Sequence, residues 1–272
     1  MSLRFSRTPR LVKLSLLLAL IVPLAIPVNF VLIHPGESSP LFPKMLKVVN
    51  SQKSNSFPQV YKAHGQMYLL SIWVTNPDTR VFGAQVVQCW ISKECVVIPR
   101  SVMYEKKTNN AAQFKSGKLE MVHSQSAALT ATKNLFVKRY PEINLKDVND
   151  TSLKVSIENT GGPSGGLIFA LGLSEIFSPE DLLQGRKIAG TGTISSNGKV
   201  GAIGGVEEKI VAAKSARVSL IFVPKANCKE VAKDIKGVGV IAVSTLDEAF
   251  LRLKNGKNSN FQGVQGCTNL NP

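Results

Sequence analysis

From Leu153 to Leu253 short apolar runs alternate with stretches of helical periodicity, and this alternation limits the fold more than any other feature of the chain. Leu153 to Ile157 alternates as a strand does and delivers the chain into "TGGPSGGLIFALGL", Thr160 to Leu173, a glycine-rich turn opening an apolar helix over Gly165 to Phe177. A strand over Lys187 to Ile194 follows, then a hairpin at the "NGK" turn from Asn197 to Val200. Next come a helix in "GGVEEKIVAAKSARV", a strand at Ser219 to Val223, a helix at Asn227 to Ile235, a strand at Val238 to Val243 and a last helix at Thr245 to Lys254. Strands interleaved with helices predict an α/β domain.

Upstream, "GQMYLLSIWVTN" reads as a strand because aromatic and β-branched residues dominate it. Val81 to Trp90 suits a short helix. A long helix runs from Asn109 to Tyr140, broken by Gly117 and stopped by Pro141, with Met121, Ala128, Leu129, Leu135 and Phe136 as inward positions. Still earlier, "LSLLLALIVPLAIPVNFVLI" from Leu14 to Ile33 is twenty residues without a charge, about what a bilayer-crossing helix needs. Arg4, Arg7, Arg10 and Lys13 flank it on the side that stays in the cytoplasm. The expectation is a single-pass cell-membrane anchor with everything after His34 extracytoplasmic. A cleaved signal peptide is the alternative, but no A-x-A site follows the apolar core.

The formal net charge of +15 raises nucleic acid as a partner, yet four of those charges sit ahead of the apolar run and the other lysines are scattered among acids. No aromatic stacking platform accompanies them, so the reading is of no nucleic-acid partner. Four cysteines, Cys89, Cys95, Cys228 and Cys267, suit two disulfides outside the cytoplasm, with three pairings open. No C-x-x-C pair occurs and the three histidines, His34, His64 and His123, are far apart, which argues against a metal site.

The glycine-rich turn frames the question of function. Gly162, Ser164 and Gly166 satisfy G-x-S-x-G, but that elbow needs a histidine later in the chain and none follows Ser164. A phosphate loop would need G-K-[ST], which is missing. The remaining base for a serine is a lysine whose pKa of about 10.4 is pulled toward neutrality by desolvation or a neighbouring cation. Lys209 has Gly205 and Val206 one turn back and Ala212 and Ala213 one turn ahead, whereas Lys214 looks toward Arg217 and solvent. Glu208 points roughly 100° away on a helix. The plain alternatives are that Ser164 caps a helix and that Lys209 snorkels.

Taken together, "GGPSGGLIFALGL", "IAGTGTISSNGKVGAIGGVEEKIVAAKSA", "LIFVPKANCKEV" and "VSTLDEAF" resemble the proteolytic domain of Lon-type serine proteases (peptidase family S16-like), over about Lys154 to Leu253. The nearer likeness is to the ATP-independent, membrane-anchored bacterial branch, which usually carries a PDZ domain. The resemblance implies the Lon proteolytic fold, α/β (α+β), with Ser164 as nucleophile, Lys209 as general base and Thr191 hydrogen-bonding near the lysine. Gly162, Pro163 and Gly165 would shape the turn, and N–H groups around Ser164 would form an oxyanion hole. It implies no cofactor, protein or peptide substrates, and a homo-oligomer.

Two departures stand out. Gly165 replaces the usual alanine, which reads as a looser turn, and Gly161 stands where some members have aspartate. Only Pro141 to Ser152 lies where a PDZ domain would be inserted, too short for one. The expected organisation is a basic cytoplasmic tail at 1–13, an anchor at 14–33, a linker at 34–64, a small mixed α/β region at 65–152, the proteolytic domain at 153–254 and a tail at 255–272. The expected function is ATP-independent serine endopeptidase; the competing one is a degenerate, non-catalytic membrane-attached scaffold or binding module.

Overall fold

The computed structural model describes residues 9–49, 57–92, 94–157, 160–232, 234–256 and 263–267; Arg4, Arg7 and most of the tail lie outside them. In chain order the main elements are helix α1 (Arg10–Ala25), strand β1 (Phe30–Pro40), β2 (Leu46–Val48), β3 (Gln66–Val74), α2 (Gly83–Ser92), β4 (Val96–Pro99), α3 (Asn110–Arg139) and β5 (Leu153–Val155). They continue as α4 (Gly166–Phe177), β6 (Lys187–Gly190), β7 (Thr193–Ile194), β8 (Val200–Gly201), α5 (Val206–Ser215), β9 (Leu220–Pro224), β10 (Gly239–Val243), α6 (Leu246–Asn255) and β11 (Val264–Gln265). The chain divides into two compact units, 1–34 with 73–110 and 35–72 with 111–272.

In the first unit the uncharged run does not form one helix. Helix α1 covers only sixteen residues, about 24 Å at 1.5 Å per residue, and a bilayer core needs about 30 Å. Ile26, its C-cap, is extended, because the ring of Pro27 disfavours helical geometry in the residue before it. The rest of the run becomes strand: Phe30 to Ile33 pairs antiparallel with β4, and Val31, Leu32 and Ile33 are buried. No helix among the described residues is long and apolar enough to cross a membrane, which overturns the expected anchor and the single-pass placement built on it. Helix α2 packs Val86 and Cys89 on Leu32 and Val81, and Cys89 is bridged to Cys95.

The second unit holds a parallel sheet in the order β11-β10-β9-β6-β3. Its strands are covered on both faces, so their side chains alternate between two apolar layers rather than between core and water. Ile188, Leu220, Phe222, Ile241 and Val243 point to one layer, with Leu167 of α4, Phe136 of α3 and Phe250 of α6. Ala189, Ile221, Val223, Val240 and Ala242 point to the other, with Val206, Ile210 and Ala213 of α5. Helices α4 and α5 therefore lie on opposite faces of one sheet. Cys228 and Cys267 form the second bridge, so of the three pairings left open the one realised joins Cys89 to Cys95 and Cys228 to Cys267.

Three local expectations are revised. Gly117 does not break α3, which is continuous for thirty residues and buries Met121, Ala128, Leu129, Leu135 and Phe136. The strand over Lys187 to Ile194 divides at Thr191 and Gly192, where glycine at φ +153° turns the chain out of the sheet before the β7–β8 hairpin. The helix at Asn227 to Ile235 is instead a 3-10 stretch, Lys225–Glu230, while Lys233 lies outside the described residues.

At the far end of α4, Glu175 is 2% exposed and accepts the Leu182 N–H at 3.0 Å. Burial, reinforced by Asp181, raises its pKa from 4.5 to about 7 against the opposing Leu182 and Leu183 amides and Arg186. Arg186 donates to the carbonyls of Leu182, Leu183, Leu253 and Gly256, tying this loop to α6. A folded-state pKa above the unfolded one means the native chain holds a proton across pH 4.5 to about 7, and that contribution to stability is lost as pH rises through the window. Glu175→Gln is expected to flatten the fall in stability over that window and to raise stability at pH 8 by on the order of 2 kcal/mol. Urea titrations at pH 5 and pH 8 check it; an unchanged pH slope in the variant contradicts it.

Candidate active site

The chain enters the site through glycines because backbones meet there without side chains between them. A Cβ on Gly161 would lie 3.0 Å from the Gly117 carbonyl carbon, and the Gly162 N–H donates to the Gly117 oxygen at 2.8 Å. Gly162 itself has φ +95°, a conformation that glycine adopts at little cost. The aspartate absent at Gly161 thus leaves a backbone contact in its place. Gly165, expected to loosen the turn, is buried: a Cβ there would lie 2.7 Å from Leu69 Cδ1, in space the Leu69 side chain occupies.

Pro163 to Gly165 make one 3-10 turn that runs into α4. Gly162 caps it, and Ser164 makes no capping bond. The carbonyl of Ser164 is held from the other side, accepting the Gly192 N–H at 2.8 Å and the Thr191 hydroxyl at 3.3 Å. Thr191, 1% exposed, therefore reaches the serine's backbone carbonyl. The Gly162 N–H is spent on Gly117 and Pro163 has no N–H, so an oxyanion here would draw on amides from Ser164 onward.

Lys209 arrives from the opposite face of the sheet. Gly205, at φ +66°, starts α5 while touching Ile72, and a Cβ there would lie 3.0 Å from Ile72 Cγ2 and Cδ1. One turn later the Lys209 ammonium or amine nitrogen Nζ lies 2.9 Å from Ser164 Oγ. Lys209 is 3% exposed, so it does not snorkel. Desolvation lowers its pKa from 10.5 to about 8, against the field of Glu208, which pulls the other way. Glu208 is itself buried and its carboxyl is raised by desolvation; it makes no ion pair with the amine. Ser164 as a residue is half-buried. A hydroxyl beside an amine that loses its proton near pH 8 is equipped to become a nucleophile.

All six expected positions, Gly162, Pro163, Ser164, Gly165, Thr191 and Lys209, fall within this one cluster. Two supports were not anticipated, Gly117 and Ser124, both on α3; Ser124 Oγ donates to the Pro163 carbonyl at 2.8 Å. The only signal for Gly117 was a glycine inside a helical pattern, which reads more naturally as a break.

An α/β domain that joins a serine hydroxyl to a desolvated lysine amine at the carboxyl end of a parallel strand has the layout of a hydrolytic domain. Residues 101–253 match the Lon protease (S16) C-terminal proteolytic domain family, and the chain belongs to that family. It is 26% identical over 233 residues to "Lon protease 2" of Borreliella burgdorferi, covering 80% of this chain and 27% of the relative. It is 41% identical over 88 residues to "Lon protease 2" of Bacillus subtilis, covering 32% of this chain and 15% of the relative. With "Lon protease" of Endomicrobium trichonymphae it shares 32% over 148 residues, 51% of this chain and 18% of the relative. The chain thus spans about a quarter or less of these relatives' lengths.

Keeping an amine dry has a stability cost with a definite pH signature. The folded-state pKa of Lys209 is below the unfolded one, so the unfolded chain binds the extra proton between about 8 and 10.5. The destabilisation is complete below pH 8 and vanishes above 10.5. Lys209→Met is expected to stabilise the domain at pH 7 by on the order of 2 kcal/mol, a gain that shrinks toward pH 10. Denaturant midpoints at the two pH values check this, and a destabilised variant at pH 7 would contradict it.

Proposed function

We propose that the domain is a serine peptidase in which Ser164 is the nucleophile and Lys209 the general base. The observation that carries this is the 2.9 Å contact between the serine hydroxyl and an amine that is 3% exposed. Neutral Lys209 takes the Oγ proton as the oxygen attacks the scissile carbonyl, and the carbonyl π electrons move onto its oxygen. Backbone N–H groups at the start of α4 stabilise that oxyanion. The lysine, now an ammonium, gives its proton to the departing amine as the C–N bond breaks, leaving an acyl-serine. Water, deprotonated by the same amine, releases the acid and restores Ser164. Thr191 steadies the Ser164 carbonyl and so keeps the nucleophile in register.

The reaction in this reading proceeds without a nucleotide, because neither the attack by the serine nor the proton transfers of the lysine call on one. Substrates are peptide segments of proteins that reach the Ser164 hydroxyl. Residues 141–152 are too few for a PDZ domain at that point; in this reading the surroundings of the turn contribute to selection, and the resemblance favours a homo-oligomer. The family match at 101–253 begins well ahead of the expected domain boundary at 153 and takes in α3.

Hydrolysis of an unfolded protein such as casein tests the reading. Wild type is expected to cleave it equally with and without ATP, with kcat/KM rising as pH increases through about 8. Ser164→Ala and Lys209→Arg should each lower turnover more than about a thousandfold, because arginine cannot give up its proton. Wild-type turnover in either variant rejects the dyad, whereas a wild type that cleaves nothing leaves a non-catalytic binding module as the surviving account.

A further inference from the structure

Ser124 is 6% exposed and takes no part in the chemistry above, yet its hydroxyl is aimed at the nucleophile's turn. Hydroxyls inside helices commonly return to the carbonyl four residues back. Thr130, Thr132 and Ser174 do so, onto Ser126, Ala128 and Ala170. Ser124 instead spends its proton across the interface between α3 and the turn, on the Pro163 carbonyl at 2.8 Å. That oxygen also receives the Gly166 N–H, so both of its lone pairs are engaged. The fit is close: a Cβ on Gly166 would lie 2.7 Å from Ser124 Oγ.

The Pro163–Ser164 peptide is trans, so its N–H points opposite to its C=O. With the carbonyl drawn to Ser124 on α3, the Ser164 N–H is directed away from α3. The next plane is pinned in the same manner, since the Ser164 carbonyl is held by Gly192 and Thr191. We propose that Ser124 is a positioning residue for oxyanion stabilisation: through the Pro163–Ser164 peptide plane it aims the Ser164 amide at the developing negative charge. It touches neither substrate nor reacting atoms. This inference rests on the Ser164–Lys209 reading and adds to it a second side chain from α3.

A hydrogen bond that acts by orienting an oxyanion donor contributes more in the transition state than in the ground state. In the full chain Ser124→Ala is expected to lower kcat on a peptide substrate about tenfold, with KM within about twofold. Affinity for a peptide boronate, whose tetrahedral adduct mimics the intermediate, should fall by the same factor. The pH limb near 8 and the melting temperature should stay in place, and Thr130→Ala, which removes an exposed hydroxyl from the same helix, should leave kcat unchanged. Wild-type kcat and boronate affinity in Ser124→Ala would overturn the proposal, as would a loss confined to KM or melting temperature. A wild-type chain without Ser164-dependent turnover would instead overturn the dyad reading, and this inference with it.

Discussion

A single contact between a serine hydroxyl and a lysine amine shut away from water sets the demands that the rest of this fold meets. An ammonium in water holds its proton to pH values far above neutrality, and here desolvation brings that pH down to about 8. Here the means is position: Lys209 sits in the first turn of α5, on the face that packs toward the sheet, beside Val206 and Ile210 in the apolar layer. Glu208 works against the effect without forming an ion pair. The amine is thus left with a hydroxyl as its hydrogen-bond partner, an arrangement that favours its neutral form.

The two groups come from helices on opposite faces of one parallel sheet, and they meet where β6 ends. Glycines make that meeting possible. Gly205 starts α5 against Ile72 in a left-handed conformation, Gly192 turns the chain out of the sheet under the serine, and Gly161 lets the turn rest on Gly117 of α3. Helix α3 is thereby a wall of the site rather than a neighbour to it: it accepts from Gly162 and donates, through Ser124, to Pro163. A turn held from both sides confines the serine to one orientation at small energetic expense per bond.

Much of this was legible in order along the chain, because strand and helix periods are local properties. The inward positions of α3 follow from its period, and a lysine as the candidate base follows from a serine that lacks a downstream histidine. Where local reading failed, a neighbour distant in sequence had decided the outcome. Gly117 reads as a break but is the point where another backbone approaches. Gly165 reads as slack and is filled by Leu69. The uncharged run from Leu14 reads as one span, yet Pro27 ends the helix and Val31 to Ile33 find a partner strand that no local pattern reveals.

By itself the sequence determined the periodicities, and with them the α/β class, the serine in its glycine frame and the lysine on a small-residue face, since each is written in side chains a few positions apart. It could not determine that Ser164 and Lys209 stand 2.9 Å apart, that α3 closes on the turn, or that the apolar N-terminal run divides between helix and strand. Those outcomes belong to the tertiary structure, because burial of an amine and the close approach of two backbones arise only when segments remote in sequence exclude water from one another.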